Sequence, residues 1–351
     1  MPASMPSVSS LPHGALLWER VDGVVGRAST LGDLRAHGLQ LLAAARSRRL
    51  GQRPPAETAE LENAAAMRVL AVEHLLRRIR EVCDGQLVLM KGYEIALRYP
   101  DAVQRPFGDI DLLAPDPWRA YGQLRAAGFE PIGLGDAYYA DRHHLQPLAL
   151  PSLPVPVELH RMPQWVRWSR APRAEELVEH AVASRTGIDG LLAPAPAHHA
   201  LVVAAHSWAG LPLRRVVDLL DAALLADEAE PGEVERWARA WDVEGVWEFT
   251  TRVQASLFAG APAPRAARVW GRGALEVRDL TVVEQHARRL LSPLAVLPAR
   301  RALLEMAVSL VREVTPRDDE GWRAKTTRAG IAVRNAFRDR SGHEAALRRR
   351  S

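Results

Sequence analysis

Strand-like patterning is confined to one window of this chain, and that confinement dictates what the chain can fold into. The window opens after the Asp84-Gly85 turn signal with the apolar run of QLVLMKG and continues through the alternating DIDLLAP. It closes with HLQPLAL and VPVELHR, which read as a hairpin joined by the Pro-rich PSLP. On both sides apolar residues recur at helical spacing. A small sheet with helices before and after it must take its cover from them, which is an α+β arrangement.

The same texture divides the chain. Residues 1–12 are rich in Pro and Ser and are expected to be disordered, and 13–82 form an N-terminal helical region whose long helix starts near Pro55 and runs to about Val82. Residues 83–169 hold the strands, together with a helix in PDPWRAYGQLRAAG that has Asp116 at its cap, Pro117 at its first position and Gly128 at its close. From about Arg170 the strands are expected to stop, leaving a helical domain over 170–340 and a basic tail over 341–351.

Composition removes several classes of function. With 351 residues, 48% of them hydrophobic, the chain can bury a sizeable core, and it shows neither a leader-like N-terminus nor an apolar run of about eighteen residues. A cytoplasmic protein without a membrane partner is expected. The single cysteine, Cys83, excludes an internal disulfide and a cysteine-clustered zinc site, so histidines and carboxylates are the available ligands and hard, oxygen-preferring cations are favoured. The net charge of +4 conceals an excess of nine basic residues over 265–351. A solvated arginine-rich face accounts for that excess more simply than a phosphate-rich partner does.

Only two of the 46 basic residues are lysine, Lys91 and Lys325. Lys91 ends the first strand, with Gly92 after it and Asp109-Ile110-Asp111 downstream. Strand side chains alternate, so Asp109 and Asp111 share a face, about 6 to 7 Å apart along the chain, while Ile110 and Leu112 turn to the core. Preceded by Gly108, that pair is a natural seat for Mg²⁺. In VPVELHR the alternation turns Val157 and Leu159 inward and Glu158 and His160 outward. Pro154 and Pro156 lack donors, which requires an edge strand or a ladder that begins only after Pro156. If the two strands are neighbours, Glu158 is a third carboxylate. Three converging carboxylates are what two-metal phosphoryl or nucleotidyl transfer needs, with Gly92 letting backbone approach phosphates and Lys91 adding a compact charge. Taken singly, each feature has an ordinary structural explanation: a turn or cap for Asp-x-Asp, a snorkelling strand-end lysine, an arginine partner for Glu158. It is the combination that points to chemistry.

LVLMKGYEIALRYP, then RPFGDIDLL, then PVELH resembles the minimal, uncharacterised-type nucleotidyltransferase family of the DNA polymerase β superfamily. The resemblance runs on into a His-bearing helix, VVAAHSWAG, and an Arg- and Asp-bearing one, LRRVVDLLD, and covers roughly residues 60–260. It implies a nucleotidyltransferase-type mixed β-sheet with flanking helices. It further implies that Asp109 and Asp111 are metal ligands, that Glu158 is the third acid, and that Lys91, Gly92 and Arg105, with Gly108 in the same stretch, contact nucleotide. The chain has Lys-Gly where the wider superfamily usually has Gly-Ser, with a longer segment before the aspartates. Among lesser candidates, His160 would orient the acid or touch substrate, with a surface or packing role the equal alternative. At most one of the adjacent His143 and His144 would reach the acceptor side, His144 being the candidate. His206 and Asp218 match the family's positions and are expected foremost as a buried polar pair between helices, with substrate contact the alternative. Trp165 and Trp168 are expected to pack in the core rather than stack on a substrate.

The activity so implied is Mg²⁺- or Mn²⁺-dependent transfer of a nucleoside monophosphate from an NTP, ATP first, to a hydroxyl of a small-molecule or peptide acceptor, with pyrophosphate released. The alternatives are phosphorylation of a peptide natural product such as a lasso peptide, toxin-type modification of RNA, and a non-catalytic nucleotide-binding protein. A complete set of acids argues against the last. The acceptor is expected between the sheet and the helical domain.

Overall fold

Seven short strands build one sheet: β1 Leu87–Leu89, β2 Ile110–Leu113, β3 Glu130–Pro131, β4 Leu148–Leu150, β5 Leu153–His160, β6 Val182–Ala183 and β7 Leu191–Ala193. The order across the sheet is β3-β4-β5-β2-β1-β7-β6; β2/β5 and β1/β7 are parallel and the other pairs antiparallel. This computed structural model describes residues 13–140, 142–270, 277, 280–315, 321–323, 325–327 and 330; the segments 1–12 and 341–351, expected to be a disordered start and a basic tail, lie outside them.

Helices α1 His13–Val25, α2 Leu31–Ala36, α3 Gln40–Arg49 and α4 Thr58–Val82 precede the sheet, and α4 ends where the periodicity predicts. Between strands lie α5 Tyr93–Ala96, α6 Pro117–Ala126 and α7 Asp136–Tyr139. The α6 cap is the predicted one, the Asp116 carboxylate accepting from the Arg119 amide at 3.0 Å. After β5 come α8 Ala174–Glu179, α9 Pro196–Ala209, α10 Val216–Asp227, α11 Glu233–Ala240 and α12 Glu244–Phe258, followed by further helices that include Val282–Leu291 and Ala299–Val314. The result is the α+β architecture expected, a mixed sheet flanked by helices. No described helix is long and apolar enough to cross a membrane.

The β4/β5 hairpin forms as the sequence predicts. β5 is an interior strand, and its prolines are accommodated the second way: the ladder to β2 begins at Val157, directly after Pro156. Strands do not stop at Arg170, however. β7, a three-residue run almost continuous with the apolar helix α9, sits beside β1 in the sheet, and its brevity hid it within helical periodicity.

Alternation along the strands splits the core into two layers. Leu87, Leu89, Ile110, Leu112, Val157 and Leu159 pack with Val72, Leu75, Leu76 and Ile79 of α4. Val88, Met90 and Leu113 face the other way, into a cluster built mainly by α1, α9, α10 and α12. α9 is buried on nearly every side, which suits a helix without a polar face. It covers the sheet face on which Asp111 lies.

Candidate active site

Backbone register assembles the acids. The parallel β2/β5 ladder sets Asp111 opposite Glu158 and Leu113 opposite His160, so the adjacency that Glu158 needs is met. The Met90 amide donates to the Asp111 carbonyl at 3.0 Å, which brings the end of β1, and Lys91 with it, against the aspartates. Gly92 then turns with φ +59° and ψ −113°, a conformation open to glycine, and a Cβ there would lie 3.1 Å from the Asp109 carbonyl oxygen. Lys91 Nζ lies 2.9 Å from Asp111 Oδ1, and His160 Nε2 lies 3.0 Å from the same oxygen and 3.6 Å from Glu158 Oε2. One ligand atom each from Asp111, Glu158 and His160 fall within 4.8 Å of one another. The face expected to look outward is therefore roofed: Asp111 and His160 are both buried.

Burial and neighbouring charge pull the two aspartates apart. Asp109 is pushed up to about 6 by burial and by the Asp111 charge. Asp111 loses solvation too, but the Lys91 ammonium and the His160 hydrogen bond outweigh that and hold it well below the carboxylate range. Lys91 is half-buried, and Asp111 and Asp109 more than offset the desolvation and raise its pKa. His160 follows the same balance, its burial overcome by Asp111 and Glu158. The cluster thus already holds a cation among its carboxylates. A divalent metal fits the same environment: two carboxylates and an imidazole within ligand reach, a third carboxylate beside them, and the Lys91 ammonium already 2.9 Å from Asp111.

The histidines gather more closely than alternation allows. His144 Nε2 is 3.8 Å from Glu158 Oε2, and its backbone bridges to His160. The rings of His143 and His144 lie 5.3 and 5.4 Å from that of His160, so both reach the cluster, not one. They sit at a bend ahead of β4, where strand alternation does not apply. Burial and the neighbouring His160 push His143 down to about 3. From α9, His206 presents Nδ1 3.4 Å from Lys91 Nζ; burial and that ammonium hold it well below its usual range, so the neutral imidazole can accept from the lysine. Asp218 of α10 is raised by burial and moderated by Arg215, Arg105 and Lys91. The expected His206–Asp218 pair is not made, as no hydrogen bond joins them among the described residues; His206 turns instead to Lys91.

Arg105 faces elsewhere. Its Nη2 and Nε donate to Asp221 Oδ2 at 2.7 and 3.1 Å, and the Tyr99 hydroxyl donates to Asp221 Oδ1 at 2.6 Å. Gly108 is exposed, with space where a Cβ would stand, and its carbonyl accepts from Arg68 at 2.9 Å. Trp165 and Trp168 pack against the larger core as expected, Trp165 edge-on to Trp241 at 5.6 Å. Sequence reasoning passed over Asp221 and Tyr99, which anchor Arg105, and His199, whose Nε2 lies 2.5 Å from the Met90 carbonyl oxygen and ties α9 to the end of β1. A second aspartate, three residues after Asp218 in the otherwise apolar VVDLLDAALL, was the available signal.

Residues 31–259 match a family described as an uncharacterised nucleotidyltransferase. The chain belongs to that family. No curated protein and no solved structure matches it. In this nucleotidyltransferase the matched stretch contains Lys91, both aspartates, Glu158, the histidines and α10, so the family assignment and the side-chain cluster fall on the same part of the chain.

Proposed function

We propose that this nucleotidyltransferase moves a nucleoside monophosphate from an NTP, ATP before others, to a hydroxyl of a small-molecule or peptide acceptor and releases pyrophosphate, using Mg²⁺ or Mn²⁺. The observation that carries the proposal is the meeting of Lys91 with Asp109, Asp111 and Glu158 at one end of the sheet. Asp109, Asp111 and Glu158 would hold the metal, with His160 in reach as a nitrogen ligand. Bound there, the metal supplies charge neutralisation of the triphosphate and acidification of the acceptor hydroxyl. Lys91, a compact ammonium, is suited to phosphate oxygens as a point charge, and Gly92 leaves its backbone open to close approach. His206, neutral and in contact with Lys91, keeps that ammonium positioned from the α9 side. Glu158, less buried than Asp111, would take the proton of the acceptor hydroxyl.

The test is incubation of the purified protein with each NTP, Mg²⁺ or Mn²⁺, and a cell extract or candidate peptides, read by mass spectrometry. A gain of one nucleotide with pyrophosphate release is expected. A gain of one phosphate with NDP release would replace nucleotidyl by phosphoryl transfer, and no gain with any NTP and either metal would refute both.

A further inference from the structure

Two imidazoles stand against the carboxylates, and strand pairing puts them there. His144 forms an antiparallel bridge to His160, and residues paired directly across strands share a face, so the two rings lie on the same side of β5, 5.4 Å apart. Glu158, two residues before His160 on β5, shares that face. His160 Nε2 lies 3.0 Å from Asp111 Oδ1 and 3.6 Å from Glu158 Oε2, and His144 Nε2 lies 3.8 Å from the same Glu158 oxygen. All the polar contact of His160 runs through that one nitrogen, because its Nδ1 is buried with no hydrogen-bond partner among the described residues.

These separations suit neighbours in a metal's coordination shell. Bonds of about 2.1 Å place adjacent donors about 3.0 Å apart in an octahedron and about 3.4 Å apart in a tetrahedron. The His160–Asp111 spacing of 3.0 Å fits the first, and the His160–Glu158 spacing of 3.6 Å lies near the second. His144 adds an independent observation. Its Nδ1 is 2.7 Å from the Leu145 carbonyl oxygen, which can only accept, so the proton of the neutral ring sits there and Nε2 offers a lone pair. A lone pair and a carboxylate oxygen that face each other at 3.8 Å call for a cation between them. Tying one ring nitrogen to a carbonyl is also how proteins orient the other as a metal ligand.

Donor chemistry then decides the cation. Mg²⁺ takes oxygen ligands and is held by charge, whereas imidazole nitrogen binds first-row transition ions with an affinity that rises from Mn²⁺ to Co²⁺. Charge is also partly neutralised here, since Lys91 Nζ lies 2.9 Å from Asp111 Oδ1 and offsets one of the negative charges on which Mg²⁺ would depend. We propose that Asp111, Glu158 and His160, with His144 beside them, form a mixed carboxylate–imidazole seat that binds a divalent transition cation of the Mn²⁺ to Co²⁺ class through the His160 nitrogen, in preference to Mg²⁺. That the cation serves transfer rests on the reaction proposed above; the nitrogen donor and the selectivity do not. Composition alone favours hard cations, and the folded site departs from that because His144 and His160 converge on one carboxylate oxygen.

The test is metal binding to the whole chain without nucleotide or acceptor, so that it does not depend on turnover. Calorimetric titrations with Mg²⁺, Mn²⁺ and Co²⁺ at one pH and ionic strength are expected to give affinities rising in that order, Co²⁺ being held about a hundredfold or more tighter than Mg²⁺. Pulsed EPR of the bound Mn²⁺ is expected to show nitrogen modulation from a directly bonded imidazole. In His160→Gln, whose amide stands near the position of Nε2, that modulation should vanish. Mn²⁺ and Co²⁺ affinity should fall about tenfold or more in this variant, while Mg²⁺ affinity moves by less than about threefold. The titrations and the EPR of the unaltered protein decide the matter even if the variant does not fold. Mg²⁺ bound as tightly as Co²⁺, or bound Mn²⁺ without nitrogen modulation, overturns the proposal and leaves metal-assisted transfer standing. Binding of none of the three overturns it as well, and the mass assay above, run with each metal, then decides separately whether the transfer reading survives.

Discussion

Arg105 offers the sharpest perturbation, because family resemblance and geometry assign it different work. Resemblance implies a nucleotide contact, whereas in the structure its guanidinium is spent on buried Asp221, which Tyr99 also engages. In Arg105→Met the side chain keeps its length and loses its charge, leaving the buried Asp221 carboxyl with the Tyr99 hydroxyl as its remaining donor. Removing one partner of a buried ion pair costs about 3 to 5 kcal/mol, and the surviving Tyr99 bond places this case near about 3 kcal/mol. At roughly 2 to 4 °C per kcal/mol for a sizeable domain, the melting midpoint should fall by about 6 to 12 °C. Arg105→Met combined with Asp221→Leu removes both charges and should recover most of that loss, since a buried ion pair replaced by apolar side chains is often near neutral. Circular dichroism melts of the two single variants and the double variant give the coupling directly, with nucleotide binding measured in parallel. If Arg105→Met melts with the parent and loses only nucleotide affinity, the guanidinium serves the ligand and the structural account of it is wrong.

Other expectations follow from the cluster itself. Asp109→Asn with Asp111→Asn should abolish transfer, and full activity in that double variant, measured by product mass, would rule out metal-assisted chemistry at this site. Lys91→Ala should leave the chain folded and lower kcat/KM about 10- to 100-fold, the worth of one charged hydrogen bond to phosphate; unchanged steady-state kinetics would remove Lys91 from the site. Gly92→Ala should cost about 1 to 3 kcal/mol, because the residue sits at positive φ with the Asp109 carbonyl in the way, and a melt identical to the parent would show the turn to be relaxed. Asp109, at about 6 in the folded protein against 3.8 ordinarily, binds its proton more readily when folded. Metal affinity should therefore fall as pH drops through about 6, while metal-free stability should fall as pH rises from about 4 to 6. Metal titrations from pH 5 to 8 with a flat affinity would contradict this.

What could be read from sequence was what repeats or is local. Period-two alternation gave the shared face of Asp109 and Asp111, the missing amide donor of Pro156 told where the β2 ladder starts, and Asp116-Pro117 announced α6. What could not be read was set by contacts distant in the chain. Nothing near Arg105 points to Asp221, more than a hundred residues away, and nothing in LLA separates a strand from the start of α9. Alternation fails for His143 because a bend, rather than a strand, presents it. Outward-facing Glu158 and His160 were rightly placed on a common face, but that face is roofed by α9, a matter of tertiary packing that alternation does not encode.

The pairing of Leu87 with Leu191 has a consequence for how the protein is made. β1 lacks its far neighbour until more than a hundred further residues have been synthesised, an interval of about 5 to 20 s at ribosomal rates of roughly 5 to 20 residues per second. Through that interval the nascent sheet has an open edge, its Val88 and Met90 lack the cover of α9, α10 and α12, which are made later, and the acids lie in water with no lid. A ribosome stalled near residue 190 therefore displays a sticky, half-built sheet, and this chain should depend on holding chaperones during synthesis more than its modest sheet suggests.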